Sequence, residues 1–148
     1  PAKRPELVSS IDLFPTVLAA AGARIPNDVP GLNLLENLQK KQPIKRAGIF
    51  GESLAHDIAD IKNPEASLLF RWRIEGKWKL LLTYDGEVNR YQSTHPRTEK
   101  RPQLFDLSKD PHEKTNLAKK HPEVVADLAA KIAAWWPLKE RKAITKFE

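Results

Sequence analysis

A chain of 148 residues, 41% hydrophobic and 30% charged, has the size of a single domain and enough apolar side chains to fill a core. Leu, Ile, Val and Trp are spread along its whole length, which argues against wholesale disorder. The absence of Cys excludes disulfides, thiolate metal sites, iron–sulfur clusters and cysteine nucleophiles together.

Met is absent as well, so Pro1 is expected to be an internal residue of a longer polypeptide or the first residue after processing. No apolar run approaches bilayer length, and no apolar segment follows Lys3 and Arg4. Neither a membrane span nor a signal peptide is therefore expected. The net charge of +6 favours polyanionic partners only if the cations share a face.

Pro1 to Glu6 is proline-rich and basic and reads as a lead-in. From Asp12 to Ala21 the residues Leu13, Phe14, Val17, Leu18 and Ala21 follow helical spacing, and Gly22 is placed to end the helix. Taking Asp12 as N-cap puts Pro15 at the third helical position, where its missing N–H has no intrahelical partner to lose. Pro26, Asn27, Asp28 and Pro30 make a connector, and Leu32, Leu34, Leu35 and Leu38 suggest a short helix. Ala47 to Gly51 suits a buried strand, followed by a polar loop.

Around Glu75-Gly76 two strands alternate, Ser67 to Ile74 and Trp78 to Tyr84. A three-residue loop, Glu75 to Lys77, pairs Ile74 with Trp78 and puts the aromatic rows on one face. An even loop would put them on opposite faces. The odd loop is the expected one. Asp85 to Gln103 is long and hydrophilic, which marks a functional or mobile segment. Leu104 to Leu107 reads as another strand. Asp110-Pro111-His112-Glu113 has the N-cap Asp, first-turn Pro and third-position Glu of a short helix. A second helix starts at His121-Pro122, with Val125, Leu128, Ile132 and Trp135 as its apolar stripe, and ends at Pro137. The basic tail from Leu138 is expected to be loosely held. The sum is an α+β fold, a small antiparallel sheet with a C-terminal amphipathic helix packed on it.

The six glycines form no phosphate-cradling run, and the four histidines form no HxH or HxxxH pair. His112 and His121 read as solvent-facing polar residues. Gly51 to Asp57 gathers Glu52, Ser53, His56 and Asp57 at the end of a buried strand. This is either a site loop or a loop whose polar groups satisfy nearby backbone. No GxSxG elbow surrounds Ser53, so a Ser/His/Asp triad is a poor reading. The Lys and Arg residues fall in separate short groups without interleaved aromatics or a helix-turn-helix pattern, so no nucleic-acid partner is expected. Trp72, Trp78 and Trp135 lie on expected apolar faces. Trp135 and Trp136 cannot share one direction, so one of the two packs at the core edge, on a partner or on a sugar ring.

The run Leu104-Phe105-Asp106-Leu107-Ser108-Lys109-Asp110-Pro111-His112-Glu113-Lys114-Thr115-Asn116-Leu117-Ala118 resembles the LYDLxxDPxExxNLA signature near the C-terminus of type I sulfatases. Ser10 to Leu18 with Ala20-Ala21-Gly22 is similar to the xxDLxPTLLxLAG helix of that family, and Trp78-Lys79-Leu80 resembles its WKL strand. Order and spacing match from about Leu7 to Trp136, with the flavour of the arylsulfatase and sulfamidase group.

The resemblance implies hydrolysis of sulfate esters or sulfamates by a formylglycine hydrate beside Ca²⁺. The C/S-x-P-x-R motif that supplies formylglycine is missing here, and the family's metal ligands and catalytic residues belong to segments upstream of Leu7. The chain therefore reads as the C-terminal region of a sulfatase. Residues 1–46 would be the terminal helix and connector of a missing α/β domain, and 47–148 the C-terminal subdomain. Such a piece is expected to be inactive alone and to partner the missing N-terminal domain. Its helix would drape over its own sheet or self-associate through exposed apolar surface.

In the intact enzyme it would help wall a cleft for a sulfated carbohydrate or aryl sulfate, with Glu52 and His56 as substrate-binding residues. No cofactor is expected in this chain itself, and export to the periplasm, exterior or lysosome follows from the resemblance. The alternative from another class is a stand-alone binding module for acidic glycans.

Overall fold

A computed structural model describes residues 4–55, 59–84 and 99–146. Contacts divide the chain into two compact units, Pro1–Ile49 and Phe50–Glu148.

In the first unit a 3-10 turn, Ser10–Asp12, runs directly into helix α1 (Leu13–Ala20). Asp12 is not the side-chain N-cap that the spacing predicts. The helical path starts two residues earlier, and the buried Asp12 carboxylate turns back to accept the Ser9 N–H at 2.8 Å. Its second oxygen accepts the Leu32 N–H at 2.8 Å, so the connector rather than the helix end receives it. That approach needs Gly31, where a Cβ would lie 2.0 Å from the Ile11 carbonyl oxygen. Gly22 ends α1 as expected. At φ +68° it permits paired bonds, Ala23 N–H to Leu18 O at 2.9 Å and Gly22 N–H to Ala19 O at 3.1 Å, that satisfy the last carbonyls. The short helix α2 (Leu35–Gln39) ends the same way, with Lys41 at φ 53°. Leu13, Phe14 and Val17 of α1 are exposed, together with Ile11 before it.

The second unit is built on a four-stranded sheet in the order β1 (Ile49–Leu54), β2 (Leu68–Glu75), β3 (Trp78–Thr83), β4 (Gln103–Asp106), with β2/β3 and β3/β4 antiparallel. The β2–β3 register corrects the sequence expectation. Glu75 pairs with Trp78 and Trp72 with Leu81, so the loop is the two residues Gly76-Lys77 and the aromatic rows do lie on opposite faces. Gly76, at φ +55°, occupies the first loop position, where a tight two-residue turn wants a positive φ. The register therefore puts Arg71 and Arg73, not Trp72, on the face shared with Leu80 and Leu82. Burial of those arginines is tolerated because both find partners.

Helix α3 (Pro122–Trp135) covers that face with Val125, Leu128 and Ile132. Burying each contributes on the order of 1.5–3 kcal/mol. They close a core with Leu68, Leu80, Leu82, Tyr84, Leu104 and Ala118. The Trp135–Trp136 pair reverses the expected roles. Trp135 is 41% exposed, while Trp136 packs against the core.

Two further expectations fail for local reasons. Asp110-Pro111 begins a turn rather than a helix. The Asp110 carboxylate accepts the Thr115 N–H at 2.8 Å, and Glu113 sits at φ 55°, a conformation that no helix continues through. The tail is strapped down, not loose. Glu65, itself buried, accepts the N–H of Lys139 and Glu140, and Ile144 N–H donates to Thr83 O at 3.0 Å. His112 is exposed as read, but the His121 ring packs on Trp78 with centroids 5.0 Å apart. Nearly all of the long hydrophilic segment, residues 85–98, lies outside the described residues.

Candidate functional site

Strand β1 runs on to Leu54, so Glu52, read as part of a loop, is a strand residue. Its neighbours have fixed directions. Phe50 stacks on Trp135 with ring centroids 4.8 Å apart and planes 7° apart, and the Arg73 guanidinium lies 4.2 Å above the Phe50 ring. Gly51 faces the other way, against Trp72, where a Cβ would come within 2.2 Å of the indole. Because strand side chains alternate, Glu52 shares the Phe50 side. It is exposed and has no hydrogen-bond or ion-pair partner among the described residues.

The strand end is held by one residue. Ala55 N–H donates to Ser67 O at 2.7 Å, and the Ser67 hydroxyl oxygen accepts the Ala59 N–H at 2.9 Å. His56, the other expected site residue, and Asp57 fall between these anchors and lie outside the described residues.

Behind Phe50 is a cationic layer that sequence reasoning missed. Arg71 is buried, donating from Nε to the Tyr84 hydroxyl at 2.7 Å and from Nη1 to the Ile132 carbonyl at 3.2 Å and to the Trp136 carbonyl. It therefore neutralises the last carbonyls of α3, where the helix dipole favours a cation. The Tyr84 hydroxyl is pushed above its ordinary pKa by burial, with Arg71 opposing. Arg73 donates to Glu75 at 2.7 Å, and Glu75 also receives Lys131 at 2.8 Å. The Lys131 hydrogen bond, helped by Arg73 and opposed by burial, holds the Glu75 carboxyl below its usual range. The detectable signal was the pair of arginines at alternate positions of a strand beside a helix end, which needs acceptors if buried.

No group of three or more His, Asp or Glu among the described residues could hold a metal, and the sequence has neither Cys nor a Ser-x-Pro-x-Arg run. No helix of the described residues is long and apolar enough to cross a membrane.

No family model matches the chain. Curated proteins do. It is 32% identical over 132 residues to an N-acetylgalactosamine-6-O-sulfatase of Bacteroides thetaiotaomicron, an alignment covering 87% of this chain and 23% of that protein. It is 30% identical over 128 residues to arylsulfatase K of Mus musculus, covering 86% of this chain and 21% of that protein. Among solved structures, one from work on the metabolism of multiple glycosaminoglycans by Bacteroides thetaiotaomicron superposes with a TM-score of 0.56 at 28% identity. It covers 84% of this chain and 24% of that one. The chain thus spans under a quarter of the length of these relatives.

Proposed function

Because this chain is homologous to the C-terminal part of sulfatases, we propose that it serves as the supporting C-terminal portion of an enzyme that hydrolyses sulfate esters or sulfamates. The observation that carries the reading is the alignment over more than four-fifths of the chain with less than a quarter of each relative. The hydrolytic centre, with its formylglycine and Ca²⁺, belongs in this reading to the remainder of the enzyme, and this portion alone is inactive. The intact enzyme is exported.

Within that enzyme the end of β1 walls the substrate cleft. Glu52, exposed and unpaired among the described residues, accepts a hydrogen bond from a sugar hydroxyl or amine. His56 donates to a sulfate or hydroxyl oxygen. Two side features support a wall rather than a passive loop. Phe50 and Trp135 form a rigid stack beside Glu52 on the same side of the strand, and Ser67 anchors both ends of the segment that carries His56. The exposed apolar row Ile11, Leu13, Phe14 and Val17 is where the remainder of the enzyme packs, since an apolar row of this kind rarely stays wet.

The test is kinetic. In a whole sulfatase carrying this C-terminal part, Glu52→Gln and His56→Ala should each lower kcat/KM for the sulfated sugar about tenfold or more, the loss of roughly 1.4 kcal/mol. The 148-residue chain alone should release no sulfate. Unchanged kcat/KM in both variants would remove the cleft-wall role, and turnover by the isolated chain would remove the supporting role.

A further inference from the structure

At the far end of β3 two segments that are distant in sequence are tied to one residue. The Thr83 hydroxyl donates to the Glu99 carbonyl at 3.3 Å, and the Thr83 carbonyl accepts the Ile144 N–H at 3.0 Å. The next residue, Tyr84, bridges to Ala143. Thr83 and Tyr84 are both buried. The two segments line a groove of about 430 Å³ formed by Lys100, Arg101, Ala143, Ile144, Thr145 and Lys146.

Three of those six lining residues are cationic. Arg101 is held by Glu99, at 2.8 and 2.6 Å. Lys100 and Lys146 are exposed and have no carboxylate partner among the described residues. Lys100 and Lys146 thus add positive charge to the groove that no carboxylate among the described residues offsets, which favours an anion there.

We propose that this groove is a docking site for a sulfated polysaccharide chain, separate from the end of β1. The chemistry selects that class. Lys ammonium groups are flexible point charges that suit sulfates spaced along a sugar chain. Among the described residues the lining has no aromatic ring on which a nucleic-acid base could stack, the feature that single-stranded nucleic-acid sites depend on. The apolar side chains of Ala143 and Ile144 in the lining suit the faces of sugar rings. Such a site would hold a long substrate while successive sulfates are presented elsewhere. The choice of polysaccharide rests on the sulfatase reading, whereas the groove and its charge do not.

The test is binding by the 148-residue chain, with no turnover required, so its failure leaves the cleft-wall reading standing. A size-defined heparin oligosaccharide, titrated by calorimetry at several salt concentrations, should bind, and its affinity should fall as salt rises. The double variant Lys100→Ala/Lys146→Ala should lose about tenfold in affinity and reduce the salt slope by about 1–2. The variant Lys119→Ala/Lys120→Ala, which removes the same charge elsewhere on the surface, should stay within about twofold. Lys100→Arg/Lys146→Arg should retain binding, which guards against a folding artefact. Equal losses in the two alanine pairs, equal affinity for unsulfated hyaluronan, tighter binding of single-stranded RNA, or no binding at all would each overturn the proposal.

Discussion

Arg46 grips both carboxylate oxygens of Asp12 from 34 residues away in sequence, at 2.7 and 2.5 Å. The same two oxygens also receive the Ser9 and Leu32 N–H groups. One fully buried carboxylate thus fastens the start of α1, the connector and the end of the first unit.

Breaking that clasp should be expensive. Arg46→Ala leaves a buried charge with only two N–H partners and should destabilise the first unit by about 3 kcal/mol. Asp12→Asn removes the charge and sets an NH2 against two of the four donors, so it should destabilise the unit by a similar amount. All four Trp residues lie beyond residue 70, in the second unit, so a probe inside the first unit is needed. Faster amide exchange at Leu32 would report the destabilisation, and unchanged exchange there would contradict it.

Acid should act on the same group. Burial raises the Asp12 carboxyl, but the hydrogen bonds from Arg46, Leu32 and Ser9 outweigh it and hold it at about 2, against 3.8 ordinarily. The folded-state value is depressed, so the contribution, about 2 kcal/mol, is present above pH 3.8 and lost as pH falls through about 2. Stability of the first unit measured from pH 5 to pH 2 should drop over that window, and the drop should be absent in Asp12→Asn.

Arg71 offers a test of the buried-arginine layer. Arg71→Met fills similar space but removes the donor that the Tyr84 hydroxyl and the carbonyls of Ile132 and Trp136 share, with an expected cost of about 2–4 kcal/mol. Arg71→Lys restores the charge without the planar fork and should recover only part of it. Urea unfolding followed by Trp fluorescence reads both. Full recovery by Lys would mean that charge alone matters at the end of α3.

Two glycines should fail for different reasons. Gly51→Ala drives a methyl into the Trp72 indole and should cost about 1–3 kcal/mol through overpacking. Gly76→Ala meets no atom but must hold φ +55°, a cost of about 1–2 kcal/mol. Trp72→Leu should rescue the first and leave the second unchanged, as judged by the unfolding midpoints of the single and double variants.

The apolar row on α1 makes a prediction about solution behaviour. Phe14 and Val17 are 58% and 63% exposed, so Phe14→Ser/Val17→Ser should alter the stability of the chain by less than about 1 kcal/mol. The same change should reduce apolar dye binding and self-association, measured by fluorescence and sedimentation. A monodisperse wild-type chain that binds no dye would show that this row is not a docking face.

Local chemistry was legible in the sequence. Helical spacing with Gly22 as terminator located α1, Pro122 and the Val125, Leu128, Ile132 stripe located α3, and the alternation around Gly76 located the hairpin. Each of these depends on neighbours within a few residues, so one-dimensional spacing contains the whole cause. The sulfatase-like run from Leu104 to Ala118 was legible for the same reason, being contiguous. Of the candidate site, the sequence supplied the residue types of Glu52 and His56 but not that Glu52 lies within β1.

What tertiary structure decided was every outcome set by a distant partner. Asp12 caps from the third position of its turn, through the Ser9 N–H, and is shared with Arg46 and Leu32. The hairpin takes the two-residue loop because Arg71 can be buried where α3 and Tyr84 offer acceptors and Arg73 where Glu75 does, overriding the rule that apolar residues define the inner face. The tail is ordered because Glu65 and Thr83 receive its N–H groups. A side chain's preferred neighbours are written in its chemistry, but which of them it meets depends on loop closures that no local spacing encodes.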